Sequence, residues 1–155
     1  MIKNIQAWID TFVSQYNENL ETVPCPYAKH AKIKYLQSTS IEKDLECIFS
    51  SWQDDVEVVC VYFDHNTIAS EELDSIVEKF NDYAMQGDIV ALQDHPEAVE
   101  SINNVVMNFG QCGLILVQRL SKINHASLIL EKKGYYKHWS KENLDDVVTW
   151  RKNGI

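Results

Sequence analysis

The chain has 155 residues, 45% of them hydrophobic, and a formal net charge of −9 at pH 7. A chain of this size and composition buries enough surface to form one domain over residues 1–155, which excludes an intrinsically disordered protein. The negative balance argues against nucleic acid as a partner, because binding to phosphates requires a positive face.

The charges are unevenly distributed along the chain. Residues 42–100 contain 16 Asp or Glu and two Lys or Arg, a net charge of −14, whereas residues 101–141 have a net charge of +5. The acidic middle suits a basic partner protein, and the basic segment suits a small anion. The alternative is that the two segments face each other within the fold or are simply solvated.

The expected location is the cytoplasm, with no membrane partner. The first residues lack the apolar core of a signal peptide, and no stretch reaches the roughly 18 consecutive apolar residues that cross a bilayer. The four cysteines form no Cys-x-x-Cys pair, so neither a zinc ribbon nor a dithiol redox centre is predicted. The sequence leaves any metal, any cofactor and the oligomeric state open.

In the first half of the chain the apolar spacing predicts two helices and two strands. An amphipathic helix over residues 3–17 ends before the break at Pro24-Cys25-Pro26. A short strand is expected around residues 33–36, and a helix follows over residues 41–52. The almost continuous apolar run Val56–Phe63 predicts a strand that is buried on both faces.

The second half continues the alternation of helices and strands. Its predicted elements are a helix from Ser70 to Gly87, a strand Ile89–Leu92, a helix over 97–109, a strand Leu114–Val117, a helix from Ser121 to Lys133 and a last helix from Ser140. Strands separated by helices predict an α/β fold around a small, mostly parallel sheet. The alternative is a two-layer α+β fold of ferredoxin-like type, which would be favoured if residues 97–109 formed a loop.

Two Asp-His pairs follow predicted strands. Asp64-His65 comes directly after Val56–Phe63, and Asp94-His95 follows Ile89–Leu92. Parallel strands would bring both pairs to one end of the sheet, where α/β folds bind ligands. A carboxylate beside a histidine suits acid–base catalysis or metal binding, so these four residues are candidate catalytic groups. The alternative is that they are ordinary turn and capping residues.

An anion-binding pair is expected at the same end of the sheet. A parallel fourth strand would add Arg119 and Lys122 beside the two histidines. An imidazole separation between His65 and His95 above about 12 Å would exclude a shared site, because no small substrate could bridge it.

Cys25 is the candidate nucleophile. A helix beginning at Pro26, together with Lys29 and His30, would lower the pKa of its thiol and make it the most reactive cysteine. The alternative is a structural cysteine held in a turn between two prolines.

The motif Cys25-Pro26-Tyr27-Ala28 follows the first helix, and His95-Pro96 follows a later strand. In these points the chain resembles a bacterial family of uncharacterised proteins that carry Cys-Pro-Phe-Ala after an N-terminal helix. The resemblance implies a strand after the motif and draws attention to Cys25 and His95 together. It implies no activity, because none is assigned to that family.

The last candidate is the aromatic and basic segment over residues 132–139, which includes Trp139 as a ligand-binding residue. Such a segment can pack the final helix onto the body, anchor a protein partner or bind an anionic ligand. Two functions therefore remain open. One is an enzyme or ligand-binding protein with an Asp/His site, and the other is a non-catalytic interaction module that uses the acidic middle or this segment.

Overall fold

A four-stranded mixed sheet forms the centre of the protein in the computed structural model, which describes residues 1–152. Its strands are β1 (Ile33–Gln37), β2 (Val58–Phe63), β3 (Ile89–Asp94) and β6 (Gly113–Arg119), in the order β1-β2-β6-β3. β1 is parallel to β2, and β6 is antiparallel to both of its neighbours. Three strands therefore run in one direction and β6 runs against them, which confirms the α/β class.

Two helices, α2 (Ile41–Ser50) and α3 (Ser70–Ala84), cover one face of the sheet. Alternate residues of β2 point into this layer, so that Val61 is fully buried beside Ile115 of β6. The run predicted as a doubly buried strand is confirmed, although the strand begins at Val58 rather than at Val56.

The other face of the sheet packs against α1 (Ile2–Trp8), which continues as a π-helical turn over Ile9–Val13. Ile5 and Trp8 contact the remaining β2 side chains through Cys60 and also reach Phe109. Because helices cover both faces, β2 is buried on each side, as its continuous apolar composition predicted.

The predicted helix over residues 97–109 is wrong. The segment forms a small antiparallel hairpin of β4 (Ser101–Ile102) and β5 (Val105–Val106). Asn103 and Asn104 make its two-residue turn with φ angles of 49° and 66°, a conformation that asparagine tolerates better than most residues.

The carboxy-terminal part of the described chain packs helix against helix. α4 (Leu120–Lys132) is followed by α5 (Lys141–Leu144), a π-helical turn Asp145–Thr149 and α6 (Trp150–Lys152). The buried Arg151 joins the two parts, because it donates to Asn124 Oδ1 at 2.7 Å and to Ser127 Oγ at 3.0 Å. No helix within residues 1–152 is long and apolar enough to cross a membrane.

Candidate functional site

The two Asp-His pairs meet at one end of the sheet, which we call the strand-end site (Asp64, His65, Asp94 and His95). β2 and β3 are both antiparallel to β6, so they run in the same direction and finish at the same end. The imidazole centroids of His65 and His95 are 5.9 Å apart, with the rings nearly perpendicular. This separation is well below the limit of about 12 Å for a shared site.

His95 is only 2% exposed, and both of its ring nitrogens lie against backbone groups. Nε2 is 2.8 Å from the carbonyl oxygen of Ile68 and 3.2 Å from that of His65, while Nδ1 is 3.1 Å from the amide nitrogen of Glu97. Because carbonyl oxygens only accept and an amide N–H only donates, these partners fit an imidazole that donates through Nε2 and accepts at Nδ1. Its catalytic role stays a prediction, and proton transfer there would require one of these hydrogen bonds to break.

The two carboxylates also hold backbone segments in place. Asp94 accepts hydrogen bonds from Asn108 Nδ2 at 2.6 Å and from the Phe109 amide at 3.0 Å, and burial raises the pKa of its carboxyl group. Asp64 accepts a hydrogen bond from the Asn66 amide at 2.9 Å and caps the short helical turn that follows. The turn and capping roles considered from the sequence are therefore present in the structure.

His65 is the member of the strand-end site with an unused buried atom. Its Nδ1 is buried without a hydrogen-bond partner among the described residues, as is the hydroxyl oxygen of Ser14. An unpaired buried polar atom costs about 1–3 kcal/mol, so a ligand that bonded to this nitrogen would recover that energy. The part of the chain that the structure describes contains no group of three His, Cys, Asp or Glu residues arranged to hold a metal ion.

Cys25 lies away from any regular helix start. Its backbone amide donates to the carbonyl of Val13 at 2.9 Å, and only a three-residue helical turn, Ala28–His30, follows it. Burial raises the pKa of the Cys25 thiol, so the expected lowering of this pKa is wrong. A nucleophilic role for Cys25 stays a prediction that the environment of the thiol does not favour.

Arg119 and Lys122 lie at the opposite end of the sheet from the histidines, so their expected position beside the strand-end site is wrong, and an anion-binding role for them stays a prediction. Because β6 is antiparallel, Arg119 is paired in register with Ile89, the first residue of β3. The guanidinium group donates to both carboxylate oxygens of Asp54, at 2.8 and 3.1 Å. Lys122 is exposed in the first turn of α4.

Trp139 packs within an aromatic group near the carboxy-terminal helices. Its ring centroid lies 4.9 Å from that of Tyr136, which is 4.8 Å from that of Tyr135. The hydroxyl of Tyr136 donates to Ser127 of α4 at 3.0 Å, and that of Tyr135 donates to the carbonyl of Pro24. These contacts favour the packing interpretation of the segment, and a ligand-binding role for Trp139 stays a prediction.

The edge strand β1 presents a feature that the sequence analysis missed. The carbonyl of Lys32 accepts from Val58, and the amide of Ser38 donates to Tyr62. Even-numbered residues of β1 therefore bond to β2, because backbone groups alternate in direction along a strand. The backbone groups of Ile33, Tyr35 and Gln37 point away from β2, and they have no internal partner within residues 1–152.

At the opposite edge strand, β3, a side chain pairs with the backbone of Ala91, the middle of the three residues that face away from β6. Asn81 of α3 donates through Nδ2 to the carbonyl of Ala91 at 3.0 Å, and its Oδ1 accepts from the Ala91 amide at 2.9 Å. Asn81 is buried, so its amide replaces the peptide group that a further strand would supply.

A cavity of about 440 Å³ lies beside β1, between this strand and α2, and we call it the β1 groove. Its lining residues are Lys34, Leu36, Asp44, Cys47, Ile48, Ser51, Trp52, Gln53, Asp55, Val56 and Val59. The alternating lysines at positions 32 and 34 are the sequence signal that could have identified β1 as an edge strand, because lysines are common on unpaired edges.

Comparison of the chain with protein-family models, curated proteins and solved structures found no match. The resemblance carried by Cys25-Pro26-Tyr27-Ala28 and His95-Pro96 therefore stays an expectation.

Proposed function

We propose that this protein is an interaction module that binds an extended segment of a partner protein as an additional strand beside β1. The observation that supports the proposal is the row of unpaired backbone groups at Ile33, Tyr35 and Gln37. Strand addition of this kind uses main-chain hydrogen bonds for affinity and side-chain pockets for specificity.

The dimensions of the edge suit a short peptide. From Ile33 to Gln37 the strand extends about 13 Å, which offers three donors and three acceptors to an added strand. The β1 groove runs beside it and supplies a pocket for side chains. The proposed location is the cytoplasm, and the four free cysteines support a reducing compartment.

Replacement of Gln37 by proline tests strand addition. Gln37 is exposed and its N–H points away from β2, so proline removes an outward donor and leaves the bonds of the β1–β2 ladder in place. Peptides selected from a random library against the native protein should lose at least about tenfold in affinity for Gln37→Pro. Gln37→Ala keeps the N–H group and should bind them normally.

Amide hydrogen exchange gives the position of binding. The selected peptides should slow exchange at Tyr35 and Gln37. Equal affinity for Gln37→Pro and the native protein, protection confined to other parts of the chain, or a library without any binder would each contradict the proposal.

A second candidate function is a small-ligand or catalytic site at the strand-end site. The observation that favours it is the unpartnered Nδ1 of His65, next to the ring of His95. Titration with a fragment library, followed through the side-chain nitrogen resonances of histidine, should then shift His65 Nδ1 first. Unchanged His65 resonances across the library would exclude this candidate.

A further inference from the structure

We infer that the segment added beside β1 is cationic, with basic side chains on either side of an apolar side chain that enters the β1 groove. This inference rests on the proposed strand addition and specifies the partner chemistry. It follows from the direction of the side chains in β1 and from the distribution of charge around the groove.

Side chains of β1 alternate between the two layers of the protein. Leu36 packs into the core beneath α2 and α3, whereas Ile33 and Tyr35 pack against the cluster around α1. An added strand continues the same pleat, so every second side chain of the partner would point to the α2 side. These side chains would face the β1 groove, and the others would lie next to Ile33, Tyr35 and Gln37.

The groove is apolar in its middle and acidic towards both ends. Leu36, Ile48 and Val59 supply apolar surface. Asp44 lies at the carboxyl end of β1, since its Oδ2 accepts a hydrogen bond of 2.6 Å from Ser38 Oγ. Asp55 lies towards the amino end, two residues before Glu57, whose amide donates to the carbonyl of Lys32.

This arrangement of charges selects the occupant. Two carboxylates and one amine, that of Lys34, line the groove, and residues 42–57 around it contain six Asp or Glu and a single Lys. A segment with basic residues two positions before and after an apolar residue would place one cation near each carboxylate. The net charge of −9 would also attract such a segment over a longer range.

A second copy of the chain fits this edge less well. Pairing of two β1 strands would bring together two chains that each have a net charge of −9. Repulsion between like net charges opposes this association, so a separate cationic partner is the better occupant.

Two matched peptides test the charge of the occupant. The probes are acetylated and amidated Lys-Thr-Val-Thr-Lys and Glu-Thr-Val-Thr-Glu, titrated into the native protein at low salt and followed by amide chemical shifts. The lysine peptide should bind at least about fivefold more tightly, and its affinity should fall as salt is added. Its binding should also be weakened in Gln37→Pro.

Charge variants of the groove give effects of opposite sign. Asp44→Asn and Asp55→Asn should each weaken the lysine peptide roughly threefold, the range of a partly exposed ion pair. Lys34→Gln removes the one cation of the groove lining and should strengthen this peptide by a similar factor. A simple loss of packing would weaken binding in all three variants.

The outcomes separate this inference from the proposed function. Tighter binding of the glutamate peptide, weaker binding of the lysine peptide to Lys34→Gln, or no binding of either peptide overturns the cationic assignment. Strand addition itself is judged separately by the library-selected peptides and Gln37→Pro. A concentration-dependent dimer in sedimentation, lost in Gln37→Pro, would assign the edge to a second copy and overturn the inference.

Discussion

The two edges of the central sheet are finished in different ways. At β3 the buried amide of Asn81 satisfies both the N–H and the C=O group of Ala91. At β1 the corresponding groups of Ile33, Tyr35 and Gln37 have no partner within the described chain. A single asparagine can thus pair with the middle of a sheet edge from inside the fold, and β1 has no side chain in the corresponding position within the described residues.

Side-chain hydrogen bonds also hold the carboxyl end of β3 in place. Gln93 donates to Asp74 of α3 at 2.7 Å, and Asp94 holds the segment before β6 through Asn108 and Phe109. β1 has two comparable contacts next to it, from the Lys32 amide to Glu57 at 3.3 Å and from Ser38 Oγ to Asp44 at 2.6 Å. The difference between the two edges is therefore the side-chain amide at Ala91, which has no counterpart among the described contacts of β1.

The largest expected effect comes from a change that unfolds the whole sheet, and with it both edge strands. Val61 is fully buried in the central strand β2, so Val61→Asp would place an unpaired charge in the core. We expect the variant to be unfolded at 25 °C, which circular dichroism would detect. Gln37→Asp, at an exposed position of β1, is the control and should fold; a folded Val61→Asp protein would refute the central position of β2.

The next effect separates the two edges. Asn81→Leu leaves the buried N–H and C=O of Ala91 without partners and should lower the free energy of unfolding by about 2–5 kcal/mol. Gln37→Leu, on the open edge, should change it by less than about 0.5 kcal/mol. Urea denaturation measures both values, and similar losses in the two variants would mean that the edges are not distinguished as described.

A smaller effect, on the rate of cysteine labelling, tests whether the β1 groove beside the open edge is accessible. Cys47 is exposed and lines the β1 groove, whereas burial raises the pKa of the thiol at Cys25 and, to about 12, at Cys60. Iodoacetamide should therefore label Cys47 at least about tenfold faster than Cys25. Peptide mapping by mass spectrometry gives the order, and faster labelling of Cys25 would restore it as a reactive thiol.

Much of the fold could be predicted from the sequence because its signals are local. The continuous apolar run of β2 and the periodic apolar face of α3 each determine one element, and both are confirmed. The meeting of the two Asp-His pairs also followed, since it required only that β2 and β3 run in the same direction. That condition holds even though β6 lies between them.

The direction of β6 could not be predicted, because it depends on the segment before it. Apolar residues at 99, 102, 105, 106 and 109 fit a helical period, but only Ile102 and Phe109 are buried. The turn at Asn103-Asn104 reverses the chain instead, and an antiparallel β6 then carries Arg119 to the far end of the sheet. A local period cannot reveal such a choice, because it depends on contacts between separate parts of the chain, such as the hydrogen bonds from Asn108 and Phe109 to Asp94.

The pairing of Asn81 with β3 did leave a signal in the sequence. Asn81 lies on the same helical face as Val77, Phe80 and Ala84, all of which are buried. A polar residue on an apolar helix face must find a partner, and the nearest strand edge supplies one. The open edge of β1 had no such signal beyond its lysines, because an unpaired backbone group depends on the order of the strands.

The smallest expected effect is a pH dependence at the end of β3. Burial raises the pKa of Asp94 above its ordinary value of 3.8, although Asn108 and Phe109 donate hydrogen bonds that lower it. Between the ordinary pKa of 3.8 and the raised pKa of the folded state, the folded state binds more protons than the unfolded state. The Asp94 carboxyl group therefore adds stability as the pH falls towards 3.8. The unfavourable free energy of burying the ionised Asp94 carboxylate is therefore fully present at neutral pH.

Asp94→Asn removes the titrating carboxyl group and so shows in which direction this group changes stability with pH. The stability of the native protein minus that of Asp94→Asn should increase as the pH is lowered from 7 to 4, measured by urea denaturation at each pH. Asp64→Asn, at an exposed carboxylate, serves as the control for changes common to all acidic groups. A difference that is constant with pH would contradict the raised pKa and show that the hydrogen bonds from Asn108 and Phe109 balance burial. A difference that decreases on acidification would show that these hydrogen bonds outweigh burial, and β3 would then be held at this end by an ionised carboxylate that stabilises the fold at neutral pH.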